Sequence, residues 1–168
     1  IVKFERGITM TMHFIDGQFI NKEDVRISID DRGYYFGDGV YEVIKAYGGE
    51  LYTAHEHLKR LFESAGKIKL KIPFTEQQLT EVAHELIAKS NISDGHVYIQ
   101  VTRGSAPRQH NFPEPQIVPI VTAYAVDNAR PVTDMKKGVS VKSVVDVRWL
   151  RCDIKSLNLL GSVLAKEE

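Results

Sequence analysis

The sequence predicts an α+β fold, and three observations carry that expectation. Two apolar, β-rich pairs of segments joined by tight-turn dipeptides come first. Two stripes of apolar residues at helical spacing follow, over 58–68 and 79–87. Strand composition then returns at 96–102 and 117–126.

Taken in order, His13-Phe14-Ile15 and Gln18-Phe19-Ile20 flank Asp16-Gly17, a dipeptide suited to a two-residue hairpin turn. Val40 to Tyr47 is β-branched and aromatic, and Gly48-Gly49 turns it toward Glu50-Leu51-Tyr52-Thr53 as a second hairpin. Leu58, Leu61, Phe62, Ala65 and Ile68 then recur every three or four residues, the mark of one apolar helix face. Thr75 and Gln78 form a capping-box pattern that starts a second helix, whose inner face is Leu79, Val82, Leu86 and Ile87. The two later strands are separated by a polar loop containing Gly104, Pro107, Pro113 and Pro115.

Domain organisation follows from where this patterning begins and stops. Residues 1–11 precede it and read as an N-terminal extension; residues 12–126 form a small α+β domain, and 127–137, rich in turn formers and charge, read as an interdomain linker. Val139, Val141, Val144 and Val147 open a new strand region in residues 138–168, and Gly161 to Glu168 reads as a helix just begun. Some thirty residues are too few for a core of their own, so the expectation is a larger domain that is only started here.

Composition narrows the class of function. Twenty-two Lys and Arg balance 22 Asp and Glu among 168 residues, so no whole-molecule field favours nucleic acid or an anionic membrane. Cys152 is the single cysteine and no leader-like segment is visible, which points to a cytoplasmic setting and to a small molecule or another protein as partner.

Several clusters could carry chemistry. Arg32-Gly33-Tyr34-Tyr35-Phe36-Gly37-Asp38-Gly39 lacks both dinucleotide and phosphate-loop spacing, and reads as a surface turn with no helix after it that lets backbone approach a ligand beside Tyr41. Lys155 lies at the edge of an apolar segment among Arg148, Arg151 and Asp153, a setting that lowers an amine pKa, although most lysines are solvated surface groups. Arg108 and His110 are two apart on the polar loop and could converge on one carboxylate, against the plainer reading of a solvated pair. Arg60 reads as a helix-surface arginine paired with Glu56. His55 and His57 project to different faces near a helix start with no further ligand, so no metal is expected, and Cys152 reads as a packing residue.

Read together, four stretches resemble the D-amino-acid aminotransferases of the fold type IV pyridoxal-phosphate enzymes: 31–43 (Asp31-Arg32-Gly33 through Tyr41-Glu42-Val43), 56–61, 100–104 and 148–160. The resemblance runs from about Phe14 to the end and implies a two-domain fold with a complete small α/β domain. It implies pyridoxal 5'-phosphate held through a Schiff base on Lys155, which also moves a proton between substrate and cofactor, and a cofactor phosphate held by Arg60. Tyr41, Arg108 and His110 match the group that traps the substrate α-carboxylate, the last two reaching across from the second subunit of a homodimer. Glu42 matches a residue close to the lysine that modulates it. The implied reaction is transamination between a D-amino acid such as D-alanine and a 2-oxo acid such as 2-oxoglutarate. An aminodeoxychorismate lyase and a branched-chain L-aminotransferase share the glycine motif and the lysine, but are not expected to carry the Arg-x-His trap. The carboxylate that pairs with the pyridinium nitrogen lies downstream of Glu168 in the family, so a dimerising, noncatalytic fragment is the rival of another class.

Overall fold

The computed structural model describes residues 12–167, so the extension expected over 1–11 lies outside the described residues. Strands β1 (Met12–Ile15) and β2 (Gln18–Asn21) form the first hairpin, with Asp16 and Gly17 both at positive φ (46° and 93°), the backbone this short turn demands. β3 (Gly39–Tyr47) and β4 (Glu50–Leu51) form the second, and Thr53 starts a helix instead of extending β4. With β5 (Gly95–Thr102) and β6 (Ile120–Asp127) they make one antiparallel sheet in the order β2-β1-β6-β5-β3-β4. β6 begins three residues later than its composition suggests, because Pro119 has no N–H to give a ladder.

Two long helices cover one face of the sheet. α2 (Ala54–Lys67) turns Leu58, Leu61 and Ala65 inward, and α3 (Glu76–Lys89), closed by the Thr75–Gln78 capping box, contributes Leu79, Val82, Ala83, Leu86 and Ile87. They pack on Val40 and Ile44 of β3, Val97, Ile99 and Val101 of β5, and Val121 and Ala123 of β6. The opposite face carries a row of stacked rings, Tyr41–Tyr98–Tyr124–His13, at centroid spacings of 5.6, 5.2 and 5.0 Å. Burial, with Tyr124 and Tyr41 alongside, pushes the Tyr98 phenol up to about 12.

Two expectations are corrected, and the segment expected as a linker is found to carry a short helix. The glycine-rich stretch is no bare turn: Arg32–Phe36 is a short helix, α1, capped by the Asp31 carboxylate on the Gly33 N–H at 2.7 Å and ended by Gly37 at φ 62°. Periodicity cannot reveal so short a helix; its caps can. Within the expected linker, β6 runs through Asp127 and Val132–Lys137 forms α4, with Asp134 in its first turn and Lys136 and Lys137 in its last, complementing the helix dipole. The valine-rich segment 139–147 forms no strand: its valines are exposed and no neighbouring strand pairs with it among the described residues. The helix at the end is present as α5 (Leu160–Glu167).

Candidate active site

Residues 153–158 are fastened to the open half of β3. Beyond its two-residue pairing with β4, β3 would be an edge on that side, and Ser156 forms a bridge with Val40 there. The Tyr41 N–H donates to the Lys155 carbonyl at 3.1 Å, and the Leu157 N–H to the Gly39 carbonyl at 3.2 Å. The Lys155 N–H donates to Ser64 Oγ on α2, Lys67 reaches the Asp153 carboxylate at 3.0 Å, and the Ile154 side chain enters the core. Asn158 Nδ2 donates to the Gly37 carbonyl, and a Cβ at position 37 would stand 2.6 Å from Asn158 Oδ1, so a side chain there would displace this amide as well as strain the backbone at its positive φ.

This docking fixes where Lys155 stands. Its Nζ sits 3.9 Å from the centre of the Tyr41 ring, a cation–π arrangement. The arginines expected to crowd it are occupied elsewhere: Arg148 pairs with Asp146 at 2.7 Å and Arg151 with Asp153 at 3.5 Å. Lys155, Tyr41, Arg60 and Ser64 line one cavity of about 1000 Å³, shared with Phe36 and with residues of 147–149 and 152–162.

Arg60 does not pair with Glu56. Its guanidinium grips Glu42, with Nη2 donating to Oε2 at 2.9 Å and Nε to Oε1. His57 Nδ1 also meets Oε2 at 2.9 Å, and the Val43 N–H completes the shell at 3.1 Å. Glu42 is fully buried on the helix side of β3, whereas Tyr41 projects to the other face, as strand alternation requires. Burial would raise the Glu42 carboxyl, but the hydrogen bonds from Arg60, His57 and Val43 outweigh it, so its pKa lies below the ordinary value. Glu42 makes no hydrogen bond to Lys155 among the described residues, so any influence on the lysine passes through its neighbours. Arg60 stays half exposed, with Nη1 unpartnered among the described residues. A half-exposed guanidinium and a primary amine in one cavity form a donor set suited to a phosphorylated carbonyl compound such as pyridoxal 5'-phosphate.

Arg108 and His110 converge, as their two-residue spacing suggests, but on Phe36: the Arg108 guanidinium lies 5.2 Å from the ring centre and the His110 ring 5.5 Å. Phe36 lines the Lys155 cavity, whereas Arg108 and His110 of the same chain do not. Sequence reasoning missed Ser64, and treated His57 only as a metal candidate. His55 and His57 in fact diverge, toward Glu76 and Glu42. The one available signal for Ser64 was its place one turn after Arg60 on the same helix. Cys152 is exposed, not packed, and its Sγ meets the Trp149 carbonyl at 2.8 Å.

Residues 39–168 match the family Amino-transferase class IV, and the chain belongs to that family. It is 51% identical to the D-alanine aminotransferase of Staphylococcus haemolyticus over 94% of its own length and 56% of that protein, and 46% identical to that of Listeria monocytogenes over 92% and 54%. It thus spans about half the length of these curated relatives. Among solved structures it is similar to the branched-chain amino acid aminotransferase of Escherichia coli (TM-score 0.66, 20% identity, 70% of this chain and 41% of that one). It is likewise similar to a T.th. branched-chain amino acid aminotransferase solved with pyridoxamine 5'-phosphate (TM-score 0.66, 23% identity, 71% and 40%). These two establish the shared fold type IV architecture. No helix among the described residues is long and apolar enough to cross a membrane.

Proposed function

We propose that the chain is the lysine-bearing part of a pyridoxal-phosphate aminotransferase that moves an amino group between a D-amino acid such as D-alanine and a 2-oxo acid such as 2-oxoglutarate. The observation that carries this reading is the shared cavity of Lys155, Tyr41 and Arg60, in a chain about half identical to D-alanine aminotransferases.

When bound, pyridoxal phosphate supplies an electron sink that makes the substrate Cα–H acidic. Lys155 is the residue for its covalent attachment, and its amine, once free, would carry the proton between the substrate Cα and the cofactor C4′, as exchange of amino and oxo groups requires. The hydrogen bonds of its own backbone to Ser64 and Tyr41 fix where the side chain starts, and the Tyr41 ring lies against its amine. Arg60, oriented by Glu42 through two of its nitrogens, offers Nη1 to the phosphate. Tyr41 stands against Lys155 and contributes its hydroxyl to the substrate carboxylate.

In this reading Arg108 and His110 bind that carboxylate in the site of a second copy, since in their own chain they lie outside the Lys155 cavity. A homodimer with shared sites follows, as does the preference for D over L substrates. A split into a small domain over 12–126, a linker over 127–137 and a cofactor domain begun at 138 belongs to the same proposal, as does a cytoplasmic setting for a chain whose Cys152 thiol is free and exposed.

The test is amino transfer by the full-length protein from D-alanine to 2-oxoglutarate, set beside transfer from L-leucine and release of pyruvate from aminodeoxychorismate. Dominant transfer from D-alanine is expected. Dominant transfer from L-leucine, or pyruvate release, would move the chain to one of the two rival activities, and no activity on any of them would contradict the enzyme reading.

A further inference from the structure

The Arg32–Asp38–Arg103 cluster belongs to none of the roles above, yet its three side chains are only 4%, 10% and 9% exposed. Arg32 Nε and Arg103 Nε both donate to Asp38 Oδ2 at 2.8 Å, and Arg103 Nη2 reaches Oδ1 at 2.9 Å. One carboxylate therefore holds two guanidiniums, a buried arrangement that is tolerable only when the remaining donors are also satisfied. Their partners are informative. Arg103 binds the Ile68 and Lys69 carbonyls and lies 4.0 Å from the centre of the Phe112 ring. Arg32 Nη1 donates to the Gln109 carbonyl at 2.7 Å, and its guanidinium lies 4.9 Å from the centre of Phe36. Gln109 is the residue between Arg108 and His110, and Phe36 is the ring against which both of those side chains rest.

The backbone ties the same parts together. The Arg32 N–H donates to the Gly104 carbonyl, the Arg103 N–H to the Asp38 carbonyl, and the Ala106 N–H to the Asp30 carbonyl. The base of the loop is thus joined to α1, while its exposed middle, 107–112, meets the protein at Arg32 through the Gln109 carbonyl, at Arg103 through the Phe112 ring, and at Tyr35 and Phe36 through Arg108 and His110. An exposed polar loop of this kind would otherwise sample many conformations, and each would move the Arg108 guanidinium away from a carboxylate.

We propose that Arg32, oriented by Asp38 and working with Phe36, is a positioning residue that aims Arg108 and His110 at the substrate carboxylate. This rests on the reading of Arg108 and His110 as the carboxylate trap. A positioning role predicts that Arg32 acts through Arg108 and not by holding the whole fold together. Lysine at position 32 keeps the charge but loses the rigid planar fork that presents Nε to Asp38 and Nη1 to the Gln109 carbonyl.

The experiment compares Arg32→Lys, Phe36→Leu, Arg108→Ala and the Arg32→Lys/Arg108→Ala double variant of the full-length holoenzyme, with D-alanine as substrate. Arg32→Lys should raise KM about tenfold, the effect of one lost charge-assisted hydrogen bond, with kcat and cofactor affinity near wild type. The double variant should be no worse than Arg108→Ala alone, because the second loss has nothing left to act through. Phe36→Leu should raise KM only while Arg108 is present, its effect vanishing in a Phe36→Leu/Arg108→Ala enzyme, and this pair carries the test if Arg32→Lys does not fold. An unchanged KM in a folded Arg32→Lys or Phe36→Leu enzyme overturns the inference, as do additive effects in the double variant. If Arg108→Ala itself leaves KM unchanged, the carboxylate-trap reading is lost and this inference with it; if Arg108→Ala is impaired while Arg32→Lys is not, only the positioning role fails.

Discussion

Glu42 shows how a single residue links stability to the site. Its carboxyl pKa lies below the ordinary 4.5, so the stabilisation it contributes is present above that value and is lost as pH falls through the lower folded value. Glu42→Gln should therefore melt below wild type at neutral pH, and the gap should close as the pH drops below about 4.5. Thermal melts across that range check this; a gap independent of pH would mean that the carboxylate's charge contributes nothing. Arg60 tests the other end of the same ion pair. An exposed Glu56 pair would contribute only about 0.3–0.5 kcal/mol, whereas loss of a phosphate ligand from Arg60→Ala should weaken pyridoxal-phosphate binding by about 1.5–3 kcal/mol, roughly tenfold or more. A change of less than about twofold, a few tenths of a kcal/mol, would leave Arg60 as Glu42's partner only.

At the scale of elements, legibility tracked length and period. Both hairpins, α2, α3 and the capping box at Thr75 were readable because turn dipeptides and apolar stripes are local signals. α1 and α4 were not: five and six residues are too few for a stripe, and the glycines flanking and within α1 read as a turn. The valines of 139–147 mark strand propensity, but a strand also needs a partner, which no local pattern supplies. The site divides in the same way. Lys155, Arg60, Tyr41, Arg108 and His110 became candidates through matched motifs, while Ser64, His57 and the Arg32–Asp38–Arg103 cluster depend on contacts between residues far apart in the chain, such as Ser64 with Lys155 and Arg103 with Asp38.

For the whole molecule, the proposed shared site makes a prediction that no single chain can meet. Lys155→Ala subunits, inactive as homodimers, and Arg108→Ala subunits, impaired at low D-alanine through a raised KM, should regain activity at low D-alanine when mixed, because one site of each mixed dimer then carries neither defect. Subunit exchange without recovered activity would show that the two residues do not come from opposite chains. More basic than the shared site is the assignment of Lys155 itself, since cofactor, reaction and dimer are all built around that amine. The most direct measurement is borohydride reduction of the full-length holoenzyme followed by peptide mapping. The predicted result is a stable pyridoxyl adduct on the peptide containing Lys155, absent in Lys155→Ala, whose fold should be retained. An adduct on a different lysine, or a Lys155→Ala enzyme that transaminates at the wild-type rate, would contradict the account.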